Sequence, residues 1–239
     1  MKSKFILLAI TLMILFPPCK AFSEERLLRY DIIHGLFGDI GESSLVIHRD
    51  LGSVTVETSV TIEVTAFSLP LHVQKTKRRE VWLDGRIVSF QDRTDENGSS
   101  TTLDLWQENG ALHLLRNDGS RAILPLDSLP ASPWSRDVLE AERVFAPESG
   151  RLIADHFRET GSHPASFKGK ASWLRCAQLY DGKTHHFCFA KDGLLAAAII
   201  DHPSGSIRIL RKGYRLSKNA IGTEISEGKT DPDSQASAR

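Results

Sequence analysis

The chain has 239 residues, 30 Lys and Arg against 30 Asp and Glu, 41% hydrophobic residues and three cysteines. Balanced charge leaves no electrostatic drive for general nucleic-acid binding, which is therefore not expected. The length is sufficient for one substantial core, and all-β domains of this size are commonly single.

Lys2 and Lys4 precede the apolar run Phe5–Phe16, followed by Pro17-Pro18 and small residues at Ala21 and Ser23. A basic start, a short apolar stretch and an A-x-S ending predict a secretory signal peptide at 1–23, with cleavage after Ala21 as the alternative. The run is shorter than the ~20 residues of a spanning helix. The expectation is an exported protein, periplasmic or secreted, with no stable membrane span after cleavage. Pro17-Pro18 stand where a lipidated Cys19 would want small residues. Loss of Lys2, Lys4 and Lys20 leaves the mature chain slightly acidic.

Residues 24–216 are expected to form a single antiparallel β domain. Its first strands are predicted at Leu27–His34, Glu42–Arg49 and Ser53–Phe67. The last is dense in β-branched residues, with Val54, Val56, Thr58, Val60, Ile62 and Val64 on one face. GLFGDIGE lacks the Lys-Ser/Thr ending of a phosphate loop, and reads as a loop or bulged hairpin. Leu71–Leu83 follows, carrying Lys75, Lys77, Arg78 and Arg79. That basic run reads as a solvated or charge-protected edge strand. The competing reading is contact with anionic lipid headgroups.

Asp84-Gly85 and Asn97-Gly98 suit type I′ hairpin turns. With two-residue loops, Val81 faces Val88, Phe90 faces Leu105 and Asp92 faces Leu103. One face then gathers Val81, Leu83, Val88, Phe90, Leu103 and Leu105. The other holds Glu80, Trp82, Ile87, Ser89, Gln91, Asp104 and Trp106. Asn109-Gly110 and Asp118-Gly119 continue the turn rhythm of a meander. Leu124–Pro147, broken by prolines, is expected to be a connection with one short helix at Val138–Val144, capping a barrel opening or simply crossing over.

Strands return at Leu152–Glu159, Ala171–Tyr180, His185–Ala190, Leu194–Ile200 and Ser206–Leu210. A loop centred on Gly182 places Cys176 opposite Cys188, which predicts a cross-strand disulfide. A metal reading would add His185 and His186, but the spacing fits no strong zinc pattern. Residues 217–239 are polar and expected to be disordered. The fold class expected is mainly β: an up-and-down antiparallel meander forming a curved sheet, half-barrel or barrel, with a short helix-containing connection.

Nucleophile-elbow and HExxH spacings are absent. Asp92, Asp95, Glu96 and Asn97 do not fit a calcium loop. Glu80 and Asp104 would share a face, but exposed strand carboxylates are usually solvated. No cofactor is expected, and an enzyme is the least supported class.

Several segments form an ordered set: Gly38-Asp39-Ile40-Gly41-Glu42; Glu80, Trp82, Asp84 and Gly85; Thr94, Asp95, Asn97 and Gly98; Pro133-Trp134; Ser149-Gly150-Arg151-Leu152; and Tyr180-Asp181-Gly182. The set, spread from about Leu27 to Leu210, resembles a bacterial envelope family, domain of unknown function 6134. The resemblance implies an exported, mostly antiparallel β protein and assigns no catalytic residues. The cysteine pair and polar tail depart from the family pattern. Two functions are open. One is binding of a hydrophobic small molecule or lipid, with Glu80, Trp82, Ile87 and Trp106 as lining candidates. The other is a structural or interaction module that meets an envelope protein. Each lining candidate also has the plainer reading of core or covered sheet face.

Overall fold

A computed structural model describes residues 23–66, 69–203 and 205–216. The predicted signal peptide, apart from Ser23, and the 217–239 tail lie outside the described residues. Eight strands run first as a meander: β1 (Glu24–His34), β2 (Gly38–Asp50), β3 (Ser53–Ala66), β4 (Leu69–Leu83), β5 (Arg86–Glu96), β6 (Ser99–Glu108), β7 (Ala111–Arg116) and β8 (Arg121–Leu124). A covering segment carries β9 (Ser128–Pro130), β10 (Arg143–Phe145) and β11 (Leu152–Ile153). The last strands are β12 (Arg158–Phe167), β13 (Lys170–Tyr180), β14 (Thr184–Phe189), β15 (Leu195–Ile200), β16 (Ile207–Arg211) and β17 (Tyr214–Leu216).

All but β9–β11 join one 14-stranded antiparallel sheet, in the order β17-β12-β13-β14-β15-β16-β1-β2-β3-β4-β5-β6-β7-β8. The sheet is curved and open, with β17 and β8 at its ends. β16 returns to pair with β1, so the first strand of the domain lies mid-sheet. β17 follows β16 by a tight turn yet pairs with β12. The last strands thus curl back on themselves around a core of Leu174, Cys176, Cys188, Ala197 and Ile199. β15, LAAAII, is buried on both faces, as a continuous apolar run requires.

Local chemistry accounts for the turns. Asp84-Gly85, Asn97-Gly98 and Asn109-Gly110 all have positive φ at both residues, which the type I′ turn demands. Lys168-Gly169 does the same between β12 and β13. That turn carries β12 to Phe167, well beyond the strand end expected at Glu159. Gly41 has a different role. A Cβ there would lie 2.0 Å from the Thr61 carbonyl oxygen, so only glycine permits this approach of β2 to β3.

Two expectations are corrected. The segment at Val138–Val144 is not an α-helix. Arg136–Glu140 forms one 3₁₀ turn capped by Ser135, whose Oγ accepts from the Asp137 N–H at 3.3 Å. Val144 and Phe145 then join β10, parallel to β9. Also, β4 is no edge strand, because it lies between β3 and β5.

The third correction concerns the faces of the central hairpin. The expected two-residue loop and the β5–β6 register are present, with Leu83 facing Arg86, Phe90 facing Leu105 and Asp92 facing Leu103. Between them lies a β-bulge. Trp82 pairs with Ile87 and Val81 with Ser89, leaving Val88 as the extra residue. One extra residue reverses the alternation. Glu80, Trp82 and Ile87 therefore turn inward beside Phe90, Leu103 and Leu105. Val81 and Val88 lose their core places, and Leu83 is 46% exposed.

Candidate functional site

The covering segment does not fill the inner side of the curved sheet. A cavity of about 350 Å³ remains, within the range of small-molecule sites. Its sheet walls come from Tyr30, Leu45, Val60 and Glu80 on β1–β4, and from Phe187, Ala198 and Ile209 on β14–β16. Its cover is Ala131–Trp134, Ala146–Glu148 and Ile153. Alternation along β3 and β4 sets this lining. Thr58, Val60, Arg78 and Glu80 point in, while Ser59, Lys77 and Arg79 point out.

Glu80 is the chemically distinctive lining residue. It is 2% exposed. Its Oε2 accepts a hydrogen bond from Trp82 Nε1 at 3.0 Å. Burial pushes the carboxyl up to about 7, against the opposing pulls of Arg78, Trp82 and Trp134, with Asp92 adding to the rise. The Trp134 indole N–H acts on this carboxylate without closing a hydrogen bond of good geometry. Arg78 itself is engaged. It donates to Asp92 Oδ1 at 3.1 Å, and its guanidinium lies over the Phe90 ring. Tyr30 closes the floor, donating its hydroxyl to the Leu195 carbonyl at 3.0 Å; burial raises its ionisation well above the ordinary phenol value.

The cover is tied to the sheet by aromatic and polar contacts. Trp134 meets Trp82 edge to face, with ring centroids 6.0 Å apart, and Phe145 meets Phe90 the same way at 5.4 Å. Arg151 grips Asp181 with two bonds of 2.7 and 2.9 Å at the far rim. Gly150 fits between cover and sheet, where a Cβ would fall 2.1 Å from Leu114 Cδ1. Its φ of +65° also favours glycine.

The structure separates the four sequence-derived lining candidates. Glu80 lines the cavity. Trp82 faces a second hollow of about 530 Å³, beside Leu129 and Val138, and packs edge to face on Trp134, which lines both spaces. Ile87 is fully buried in the core. Trp106 lies on the outer face, stacked on His113 and donating to Glu108 at 3.3 Å. Cys176 and Cys188 are directly opposed and joined by a disulfide inside the β12–β17 core. His185 and His186 adjoin on β14, and among the described residues no group of three or more His, Cys, Asp or Glu is placed to hold a metal ion. Trp134, Arg78 and Tyr30 were not candidates from the sequence. The inward alternation Thr76, Arg78, Glu80, Trp82 was the signal that could have found Arg78.

The family profile described as Domain of unknown function (DUF6134) matches residues 30–212. The chain belongs to this family. The matched span holds every DUF6134 residue that lines the cavity, from Tyr30 to Ile209. Among solved structures, the DUF6134 chain is similar to a β-barrel-like protein of domain of unknown function DUF1849 from Brucella abortus. Identity is 13%, coverage 80% of this chain and 97% of that one, and the TM-score 0.58. This likeness bears on the fold alone. A DUF1089 family protein from Pseudomonas aeruginosa also matches, at 13% identity over 87% of this chain and 94% of that one, with a TM-score of 0.29 too low to carry an argument. No curated protein matches the chain. Among the described residues, no helix is long and apolar enough to cross a membrane, which says nothing of strands.

Proposed function

We propose that this DUF6134 protein is exported to the bacterial envelope and there binds a hydrophobic or amphiphilic small molecule, such as a lipid, in the cavity between the curved sheet and its cover. The observation that carries the reading is a mostly apolar cavity of about 350 Å³ with one buried carboxyl at its floor. Apolar walls favour a chain or ring system by removing its surface from water. A few convergent polar groups then fix its orientation. Export is supported by the basic and apolar start of the chain and by a disulfide in the core, which suits an oxidising compartment.

Native mass spectrometry of protein purified from the periplasm without detergent tests the reading. The expected spectrum contains a species heavier than the mature chain, whose extra mass is recovered in the organic extract. Ligand-free protein that also takes up no amphiphile on titration would overturn it.

A second reading, docking of an envelope surface on the outer face, draws on Lys75, Lys77, Arg79 and Arg93, which lie together on β4 and β5. Lys77 and Arg93 are directly opposed. Like charges in that position are destabilising unless a partner takes them up. Salt-sensitive co-sedimentation with anionic vesicles, lost in a Lys77→Glu/Arg93→Glu variant, is the result this reading requires.

A further inference from the structure

We infer that the molecule held in the cavity presents an uncharged head that both donates and accepts hydrogen bonds, a hydroxyl or an amide, to Glu80 and Trp134; this rests on the binding reading above.

Three residues that line this cavity, Trp134, Ser132 and His185, each carry a buried side-chain polar atom without a hydrogen-bond partner, Nε1, Oγ and Nδ1 respectively. Buried polar groups are almost always satisfied, so a cluster of unsatisfied ones in one cavity marks the place where a ligand or its water supplies the partners. Trp134 is 7% exposed, and its indole N–H can only donate. The Glu80 carboxylate faces it without closing a bond, so a head group set between the two accepts from Trp134. Glu80 needs the complement. Trp82 occupies Oε2, and among the described residues the carboxyl makes no other hydrogen bond. A hydroxyl or amide answers both requirements at once. An ammonium cannot accept, and a carboxylate cannot donate.

Charge speaks against an anionic head. Glu80, Glu148 and Asp181 line the cavity, against one guanidinium, Arg78. Arg78 is already bonded to Asp92. Burial holds His185 toward its neutral form. An anionic head would meet the Glu80 carboxylate with no uncommitted cation beside it.

The test is a ligand series sharing one chain and differing in the head: monolaurin and lauramide, lauric acid, and laurylamine. Tryptophan fluorescence and calorimetry at about pH 8 read the affinities. The neutral heads are expected to bind about tenfold or more tighter than either charged one, the size of one hydrogen bond to a charged group gained or forfeited. Trp134→Phe is expected to weaken monolaurin about tenfold, and Glu80→Gln to let lauric acid approach the neutral ligands. Circular dichroism and thermal unfolding confirm that both variants keep the fold. Tightest binding of lauric acid or of laurylamine would overturn the inference while leaving the cavity reading intact. No binding by any member would instead remove the cavity reading. Equal affinities across the series would show that the head is not recognised, and the inference fails there too.

Discussion

Glu80 is the residue at which the fold meets the proposed binding site, and its ionisation gives the fold a pH dependence of definite sign. Its carboxyl sits at about 7, above the ordinary 4.5. The folded protein thus holds a proton that the unfolded chain releases once pH exceeds about 4.5. Stability present at low pH is lost as pH rises through about 7, where the buried group must ionise. The shift corresponds to roughly 3 kcal/mol. Urea unfolding at about pH 4.5 and about pH 8 should show this difference in the wild type, and Glu80→Gln should largely abolish it. The neighbouring Arg78–Asp92 pair, nearly excluded from water, allows a second test. Asp92→Asn removes a charge that raises Glu80 and releases Arg78 to stabilise its ionised form. Glu80 should then titrate lower by NMR, while the protein loses less than the ~3–5 kcal/mol of a buried guanidinium left wholly unpaired, because ionised Glu80 takes Arg78 up. Glu80 and Trp82 stood out in the sequence on the mixed face of the hairpin, opposite the expected apolar one. Arg78 did not, because it was hidden in a basic run that the strand alternation divides between two faces.

At the level of elements, turns were the most legible feature and faces the least. Each Asx-Gly pair of the central meander marks a real hairpin because its geometry is local and demanding. The bulge at Val88 is also local, but its cause is the burial of Trp82 and Ile87 against the cover, which the strand sequence does not reveal. Trp106 accordingly lies outside and Ile87 inside. The helix expected at Val138–Val144 gave way to a 3₁₀ turn because Phe145 and Val144 gain more by burial in β10 than by continuing a short helix. Cover seating depends on Gly150. Gly150→Ala should cost about 1–3 kcal/mol, combining the strain of φ +65° with overpacking against fully buried Leu114. Ser149→Ala, one residue away and exposed, should cost little in the same thermal melts. The disulfide spans a sequence separation of 12. Cys176→Ser/Cys188→Ser should lose about 3 kcal/mol, and non-reducing peptide mapping should find the two cysteines joined in the wild type.

For the molecule as a whole, the class of fold and the family were legible because strand length, turn spacing and ordered motifs are properties of the linear chain. The long-range pairings were not: β16 on β1 and β17 on β12 join segments far apart in sequence or skip the adjacent strand. The cavity depends on those pairings, since its walls come from both ends of the domain and its cover from the middle. Adjacent residues of β3 offer the most direct test of that arrangement. Val60 points into the cavity, and Ser59 lies exposed on the opposite face. Amphiphile binding should therefore be compared by calorimetry in the wild type, Val60→Phe and Ser59→Phe. Val60→Phe should reduce affinity by at least about tenfold by occupying the space, and Ser59→Phe should leave it unchanged. Undiminished binding by a folded Val60→Phe protein would contradict the account and move the ligand to another surface.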